Sequence, residues 1–225
     1  MNTYISLDLA ETAPAKVTAA GDMVYATAAN ALARLGIGAA GTVLTSTGSA
    51  PSWGVGAGVT KIQEYVLASN LAAPFVFSSI PATYRNLEIW VTSRLAEAVG
   101  LAGANLNFNG DTGSNYAYQG LYSSFSTTVT AYAIATSTKL QWTAVGSAVA
   151  SRPSSLRIFI PNYAGSFYKD VQIVNTYSRA DAAASDWEQD YIHGLWRSTA
   201  AITSISIDST GTYLAGSVAT LYGWA

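Results

Sequence analysis

The 225-residue chain contains no cysteine, a single histidine and few charged side chains. Without cysteine there is no disulfide, thiolate metal site or cysteine nucleophile, and with one histidine a zinc site is not expected. Charged residues make up 11% of the chain, against roughly 25% in an ordinary soluble domain, so its polar surface consists mainly of Ser, Thr, Asn and Gln. Such a neutral, hydrogen-bonding surface is common in chains that belong to an assembly.

Clusters of basic residues and long hydrophobic runs are also missing. The formal net charge is −2, from 11 basic and 13 acidic residues, and the lysines are scattered (Lys16, Lys61, Lys139 and Lys169). Nucleic-acid binding needs clustered Lys and Arg to displace counterions, so no nucleic-acid partner is expected. The apolar runs end well short of the roughly 20 residues of a membrane span. The first residues carry acids where a signal peptide is basic and then apolar. Neither membrane insertion nor a signal peptide is expected.

The composition changes near residue 58, although half of all residues are hydrophobic. Residues 1–58 are dominated by Ala, Gly, Thr and Ser and end in GVGAG. A segment so poor in large apolar side chains cannot form its own core. We therefore predict an attachment and oligomerisation arm that packs on copies of itself or on a partner. Within it, TAANALARLG at 27–36 fits either a short helix ending at Gly36 or an irregular arm.

Residues 59–225 show the two-residue periodicity of half-buried β-strands instead. In RNLEIWVTS, SSLRIFIP and TSISIDS, large aliphatic residues occupy every second position. We predict that these side chains point into a core: Leu87, Ile89, Val91, Leu156, Ile158, Ile160, Ile205 and Ile207. Further candidate strands are TKIQEYVL at 60–67, PFVFSSI at 74–80, TVTAYAIA at 128–135, TKLQWTAV at 138–145, YKDVQIVNTYS at 168–178 and GSVATLYGWA at 216–225.

Turn residues separate these runs, at NGDTGSN (109–115), IPNYAGS (160–166) and STGT (209–212), the last interpreted as a hairpin. Nearly a dozen short strands without βαβ alternation predict an all-β domain at 59–225, an antiparallel β-sandwich of jelly-roll-like type. AEAVG at 96–100 and RADAAASDW at 179–187 are weak helical candidates that fit loops equally well.

The segment GDMVYATAANALARLGIGAAGTVLTSTGSAPSWG at 21–54 resembles a module of tail fibres and other virion proteins of tailed phages. It has a Gly-Asp opening, an ARLGIG-like step, a Gly-x-Val-Leu step, and a Ser/Thr/Gly tract that closes on Trp53. The stretches FNGDTGSNY, RIFIPNYAGS and LWRSTAAITSISI are similar to a β-sandwich domain at the ends of such chains. The resemblance implies a structural protein of the virion that contacts other tail or capsid proteins.

Appendage proteins with this module are most often three-fold, so the resemblance also implies a homotrimer. The high Ala and Gly content of the arm lets chains approach closely, and closed symmetry lets exposed strand edges pair. A dimer stays open, because two-fold assemblies are the commonest in general. The arm residues expected to pack between copies are Val24, Leu32, Leu35, Ile37, Val43, Leu44 and Trp53.

The resemblance leaves two functions open. The first is a short tail-fibre or receptor-binding appendage, whose sandwich meets a glycan or protein on the host surface. The alternative is a capsid decoration or head-spike protein, which needs no receptor. The single copy of the module favours a short appendage over a long fibre. A glycan depolymerase is a remote third function, because such enzymes are usually long, repetitive β-helices.

Two motifs suggest chemistry, and each has a simpler interpretation. Residues 36–41, GIGAAG, match the dinucleotide pattern G-x-G-x-x-G, but a turn-rich TVLTSTGSAPS follows instead of a helix. A tight chain reversal is predicted there, and no cofactor. His193 with Asp190 and Ser198 has the residue types of a hydrolase triad, but no nucleophile elbow or other local signature accompanies them. Packing or surface hydrogen bonding is predicted for His193.

Carboxylates and amides at alternate positions raise two further possibilities. Asp186, Glu188 and Asp190 would share one strand face, and carboxylates about 5–9 Å apart can hydrolyse glycosides. A solvated strand face, and no enzyme, is predicted. Oxygen ligands for Ca²⁺ occur at Asn107, Asn109 and Asp111, ahead of Gly113 and Asn115, but the closing Glu of an EF-hand is missing. A turn stabilised by Asn and Asp side chains explains these residues, and no metal is predicted.

Aromatic residues make up 12% of the chain. Trp90 and Trp142 are predicted in the core. The cluster of Trp187, Tyr191 and Trp196 fits either the core or a surface that contacts a glycan or a protein.

Overall fold

The computed structural model describes residues 17–29, 31–55, 58–72, 74–96, 102–124, 128–144, 153–178 and 187–225. Throughout these ranges the regular structure consists of β-strands, without a helix. None of the described segments is therefore a helix long and apolar enough to cross a membrane. The chain divides into two compact units, Met1–Ala57 and Gly58–Ala225. The helical candidates at 96–100 and 179–187 lie mostly outside the described residues, and Trp187 begins a strand.

The first unit contains two antiparallel hairpins. β1 (Met23–Ala28) pairs with β2 (Ala31–Leu35), and β3 (Thr42–Ser46) pairs with β4 (Pro51–Val55). The helix considered for 27–36 is therefore wrong. Burial in β2 alternates with a period of two, which shows that cross-strand pairing outweighs the helical propensity of its alanines.

Two side chains organise these hairpins. Asp22 Oδ2 accepts hydrogen bonds from the backbone N of Thr18 and Ala19, both at 2.8 Å, and lies 2.8 Å from Nε of Arg34 on β2. Trp53 Nε1 donates to the carbonyl of Gly36 at 2.6 Å. A Cβ on Gly38 would lie 2.6 Å from the Trp53 ring, so GIGAAG is a chain reversal between β2 and β3 that needs a small residue where the indole packs.

The second unit is built from an eight-stranded and a four-stranded antiparallel sheet. In spatial order the larger sheet consists of β10 (Thr130–Ser137), β9 (Tyr116–Ser124), β14 (Trp187–Trp196), β13 (Lys169–Ser178), β12 (Ser154–Pro161), β7 (Asn86–Ser93), β16 (Val218–Trp224) and β5 (Val59–Val66). The smaller sheet consists of β11 (Leu140–Ala144), β8 (Ala102–Phe108), β15 (Ile205–Ser209) and β6 (Phe75–Phe77).

One hydrophobic core joins the inner faces of the two sheets, which confirms the predicted all-β antiparallel sandwich. The smaller sheet contributes Phe75, Phe77, Leu106, Phe108 and Leu140. All eight side chains predicted for the core are buried, as the alternation required: Leu87, Ile89, Val91, Leu156, Ile158, Ile160, Ile205 and Ile207.

The STGT turn does not form a hairpin, contrary to the prediction. β15 belongs to the smaller sheet and β16 to the larger one, so residues 210–217 carry the chain from one layer to the other. On the way Tyr213 forms isolated bridges with Leu71 and Leu95. The turn composition marks a reversal of direction, but it does not determine which strand the chain joins next.

The two layers come into close contact where Leu140 of β11 lies against Gly194 of β14. A Cβ on Gly194 would lie 2.7 Å from Leu140 Cδ1 and 2.9 Å from Cδ2, and Leu140 is fully buried. Real side chains do not approach so closely. Glycine at 194 therefore allows the smaller sheet to reach the larger one.

Gly194→Ala should lower the free energy of unfolding by about 1–3 kcal/mol, because the new methyl group overpacks the core against Leu140. Leu140→Ala alone should lower the free energy of unfolding by about 2–5 kcal/mol. In the Gly194→Ala protein the same substitution should lower it by clearly less, because it also relieves the clash with the new methyl group. Urea unfolding of the four proteins in this cycle measures the coupling. Gly58→Ala is the control, since nothing lies within 4 Å of its Cβ position. Additive costs for the two substitutions would contradict the close contact.

Candidate ligand-binding face

The outer face of the larger sheet is open to solvent. Along β14 and β13 the inner residues are buried, and the residues between them, including Gln172, Tyr191 and His193, are exposed. A groove of about 730 Å³ runs over β10, β9, β14 and β13 on this side, and its side-chain lining includes Gln119, Leu121, Gln172, Tyr191 and His193. A groove on a rigid sheet is a suitable place to bind an extended ligand.

Cross-strand register arranges the outer side chains in parallel rows. The central row is largely apolar and aromatic: Ala131, Leu121, Tyr191, Val174, Arg157 and Trp90. On one side of it runs a row with Gln119, His193, Gln172 and Phe159. On the other side runs a row of Gln189, Thr176, Ser155 and Thr92. A central row that offers ring surfaces is thus flanked by amides, hydroxyls and an imidazole.

Trp90 belongs to this face and not to the core, contrary to the prediction, whereas Trp142 is buried as predicted. The Trp90 side chain is 48% exposed, and the guanidinium of Arg157 lies over its ring, 5.5 Å from the centroid. Arg157 in turn forms an ion pair with Glu88, whose Oε2 accepts a 2.8 Å hydrogen bond from Trp224 Nε1. Because Glu88 compensates Arg157, the two charges on this part of the face cancel.

The three aromatic residues that lie close together in the sequence do not form one cluster. Tyr191 is 53% exposed in the central row, whereas Trp196 is buried on the inner face of the same strand. Trp196 is therefore unavailable to a surface ligand, because positions 191 and 196 have opposite parity on β14. Trp187 is the first residue of β14.

Trp196 instead anchors the turn at 109–115. Its ring lies 5.4 Å from that of Phe108, centroid to centroid, and its Nε1 donates to Asp111 Oδ2 at 2.7 Å. This bond, together with donors from Asn115 and Gly113, lowers the pKa of the Asp111 carboxyl against the opposing effect of burial. The Asp111 oxygens are engaged in holding the turn.

The other amides considered for calcium have similar structural roles. Asn109 Oδ1 accepts from the backbone N of Thr203 and Ser204, and Asn107 Nδ2 donates to the carbonyls of Asp111 and Thr138. Among the described residues, no group of three His, Cys, Asp or Glu side chains could hold a metal ion. The geometry at 107–115 is that of a side-chain-stabilised turn.

The acidic residues of β14 lie on the inner face, which corrects the predicted solvated face. Glu188 and Asp190 are both buried, and Asn175 Nδ2 donates to Asp190 Oδ2 at 3.2 Å. Burial raises the pKa of Asp190 to about 6, the bond from Asn175 opposes the rise, and the charge of Glu188 adds to it. Position 186 lies outside the described residues.

His193 does not meet the other two residues of the hypothetical triad. It lies on the outer face, with Nε2 3.5 Å from Asp170 Oδ1, whereas Asp190 is on the inner face. Ser198 follows the end of β14, and its carbonyl accepts a bond from the buried Lys169 ammonium. Nucleophile, base and orienting acid are not brought together by these residues.

No protein-family model matches the chain, and no curated protein sequence matches it significantly.

The sequence does contain a signal for the exposure of Trp90. Trp90 alternates with Ile89 and Val91, so the period that buries these two residues turns Trp90 to the opposite face with Thr92. Gln119, Gln172 and His193 carry no such signal, because they become neighbours only through pairing between distant strands.

Asp190→Asn should stabilise the protein at pH 7 by about 1–2 kcal/mol, because it removes a buried charge. The folded-state pKa of Asp190, about 6, lies above the ordinary value of 3.8, so its ionisation costs stability as pH rises through this range. The gain from the substitution should shrink as pH falls from 7 to 4. Thermal unfolding across this range measures it, with Asp170→Asn on the exposed face as control. If the stability gained by Asp190→Asn stays constant with pH, the raised pKa of Asp190 would be contradicted.

Asp111→Ala should lower the free energy of unfolding by about 1–3 kcal/mol, because it leaves the Trp196 indole and the turn amides without their acceptor. The unfolding temperature of the wild-type protein should be the same in EDTA and in millimolar Ca²⁺. A rise with Ca²⁺ that Asp111→Ala abolishes would instead establish a calcium site at this turn.

Proposed function

We propose that this protein is a structural subunit of a tailed-phage virion: a short tail-fibre or receptor-binding appendage. The first unit attaches it to other virion proteins and joins its copies, and the sandwich presents a binding face to the host surface. The proposal joins the resemblance at 21–54 to one structural contrast. The sandwich has a hydrophobic core of fully buried side chains, whereas many of the described apolar side chains of the first unit are exposed.

The uncovered side chains carry the argument. Among the described residues of the first unit no apolar side chain is fully buried, and Ile37 is 66% exposed. Met23, Leu32, Val43 and Leu44 are exposed as well. Val24, Leu35 and Trp53 are half-buried, Trp53 through contacts inside the unit. Apolar residues gathered on so small a unit favour association with another surface, since each would leave water there.

Self-association as a homotrimer fits this unit best. Its strands are rich in small residues that allow close approach, and closed symmetry gives each exposed apolar side chain the same partner in every copy. The role proposed for the sandwich is binding without catalysis. Support comes from the separation of His193, Asp190 and Ser198, and from the structural use of the Asp111 oxygens.

Full-length protein should be trimeric by light scattering, and a truncated protein that begins near Thr60 should be monomeric or weakly associated. Val43→Asp and Leu44→Asp should each weaken the trimer by about tenfold or more, because a charge would enter an apolar interface. Val66→Asp, at an exposed position of β5, is the matched control and should leave the trimer intact. A monomeric full-length protein, or a truncated protein that remains a tight trimer, would refute this assembly.

Labelling with antibody on intact particles tests the role itself. Label at the tail supports the appendage, and purified protein should then block adsorption to host cells. Label on the capsid would instead assign the subunit to head decoration, and particles without label would refute a virion protein.

A further inference from the structure

We propose that the outer face of the larger sheet binds a linear, uncharged oligosaccharide that runs across the strands, with one sugar on Tyr191 and another on Trp90. The inference rests on the proposed function for its setting, in which the ligand is a host-surface glycan. The geometry that points to it is independent of that setting.

The two exposed rings have a spacing suited to a chain. Tyr191 pairs with Val174, Val174 with Arg157, and Arg157 with Trp90, so the rings stand three strand spacings apart. Neighbouring strands are about 4.8 Å apart, which places the backbone positions of the two residues about 14 Å from each other. An extended oligosaccharide advances by about one such spacing per sugar. The first and fourth sugars of one chain would therefore meet the two rings, with Val174 beneath those between. Because Arg157 lies over one face of the Trp90 ring, the sugar there would meet the part of the ring that stays exposed.

The flanking rows supply hydrogen bonds where the sugar edges would lie. Alternate residues of a strand are about 6.6 Å apart, so a chain on the central row has a polar row within reach on each side. One row presents Gln119, His193 and Gln172, and the other Gln189, Thr176 and Ser155. Amides and hydroxyls both donate and accept, as sugar hydroxyls require.

The charges of the face favour a neutral ligand. On β9, β14 and β13 the ionisable groups of the outer face include Asp170, His193 and Tyr191, and the first two lie 3.5 Å apart. Arg157 is compensated by Glu88. An acidic glycan would therefore find no uncompensated cation along the described rows.

The test uses full-length protein and an array of neutral and acidic oligosaccharides of two to eight sugars, followed by calorimetry with the neutral chains that bind. Affinity should rise steeply at about four sugars, where a chain first spans both rings. Tyr191→Ala and Trp90→Ala should each weaken binding of a six-sugar chain about three- to tenfold. Tyr191→Phe, which keeps the ring, should bind nearly as wild type.

The dependence of affinity on oligosaccharide length shows whether Trp90 stacks on a sugar or only supports the structure of the face. Trp90→Ala should abolish the gain between three and six sugars and leave the weak binding of the shorter chain unchanged. Phe167→Ala is the matched control, because Phe167 is an exposed aromatic residue in the loop between β12 and β13, off the rows. No binding by any neutral chain, preference for acidic chains, or equal loss in Phe167→Ala would overturn the inference.

Two outcomes distinguish this inference from the proposed function. If the protein is labelled at the tail and blocks adsorption but binds no neutral oligosaccharide, glycan binding by the outer face is refuted and the role as a tail appendage still stands. If the protein binds neutral oligosaccharides with the expected length dependence but is absent from particles, glycan binding by the outer face still stands and the role in the virion is refuted.

Discussion

The packing of a four-stranded sheet on an eight-stranded one is the constraint on which the rest of this molecule depends. It fixes which face of the larger sheet is buried, and strand alternation then assigns every other side chain to the opposite face. The contact of Leu140 with Gly194 shows how close the layers come. The inner face also carries the acids Asp190 and Glu188, and the cost of burying them is visible in the raised pKa of Asp190.

Alternation was also what made the strands predictable. The segments around Ile89, Ile158 and Ile207 carry large aliphatic residues at every second position, and their strands and core side chains lie where the pattern placed them. β8, β9 and β14 had no comparable signal. β9 has the sequence YAYQGLYSS, with small and aromatic residues in place of aliphatic ones, and β14 buries acids on its inner face. The two-residue period of a strand can be recognised in a sequence only when the buried positions carry hydrophobic residues and the exposed positions polar ones.

Pairing between distant strands could not be inferred from local patterns. STGT has the composition of a hairpin turn, yet the chain changes sheets after it, because β16 pairs between β7 and β5 of the larger sheet. The same limitation hid the candidate site. Tyr191 and Trp90 are distant in the sequence, and only the register through Val174 and Arg157 places them in one row. Tyr191 and Trp196, which are close in sequence, were separated because neighbouring positions on a strand alternate in face.

The edges of the larger sheet bear on how copies associate. An unprotected edge strand invites pairing with another chain. At one edge, β5 carries the exposed Lys61–Glu64 ion pair. At the other, β10 has an irregularity of pairing between Ile134 and Ser137. Since both edges carry obstacles to strand addition, association through the apolar side chains of the first unit is the less hindered route.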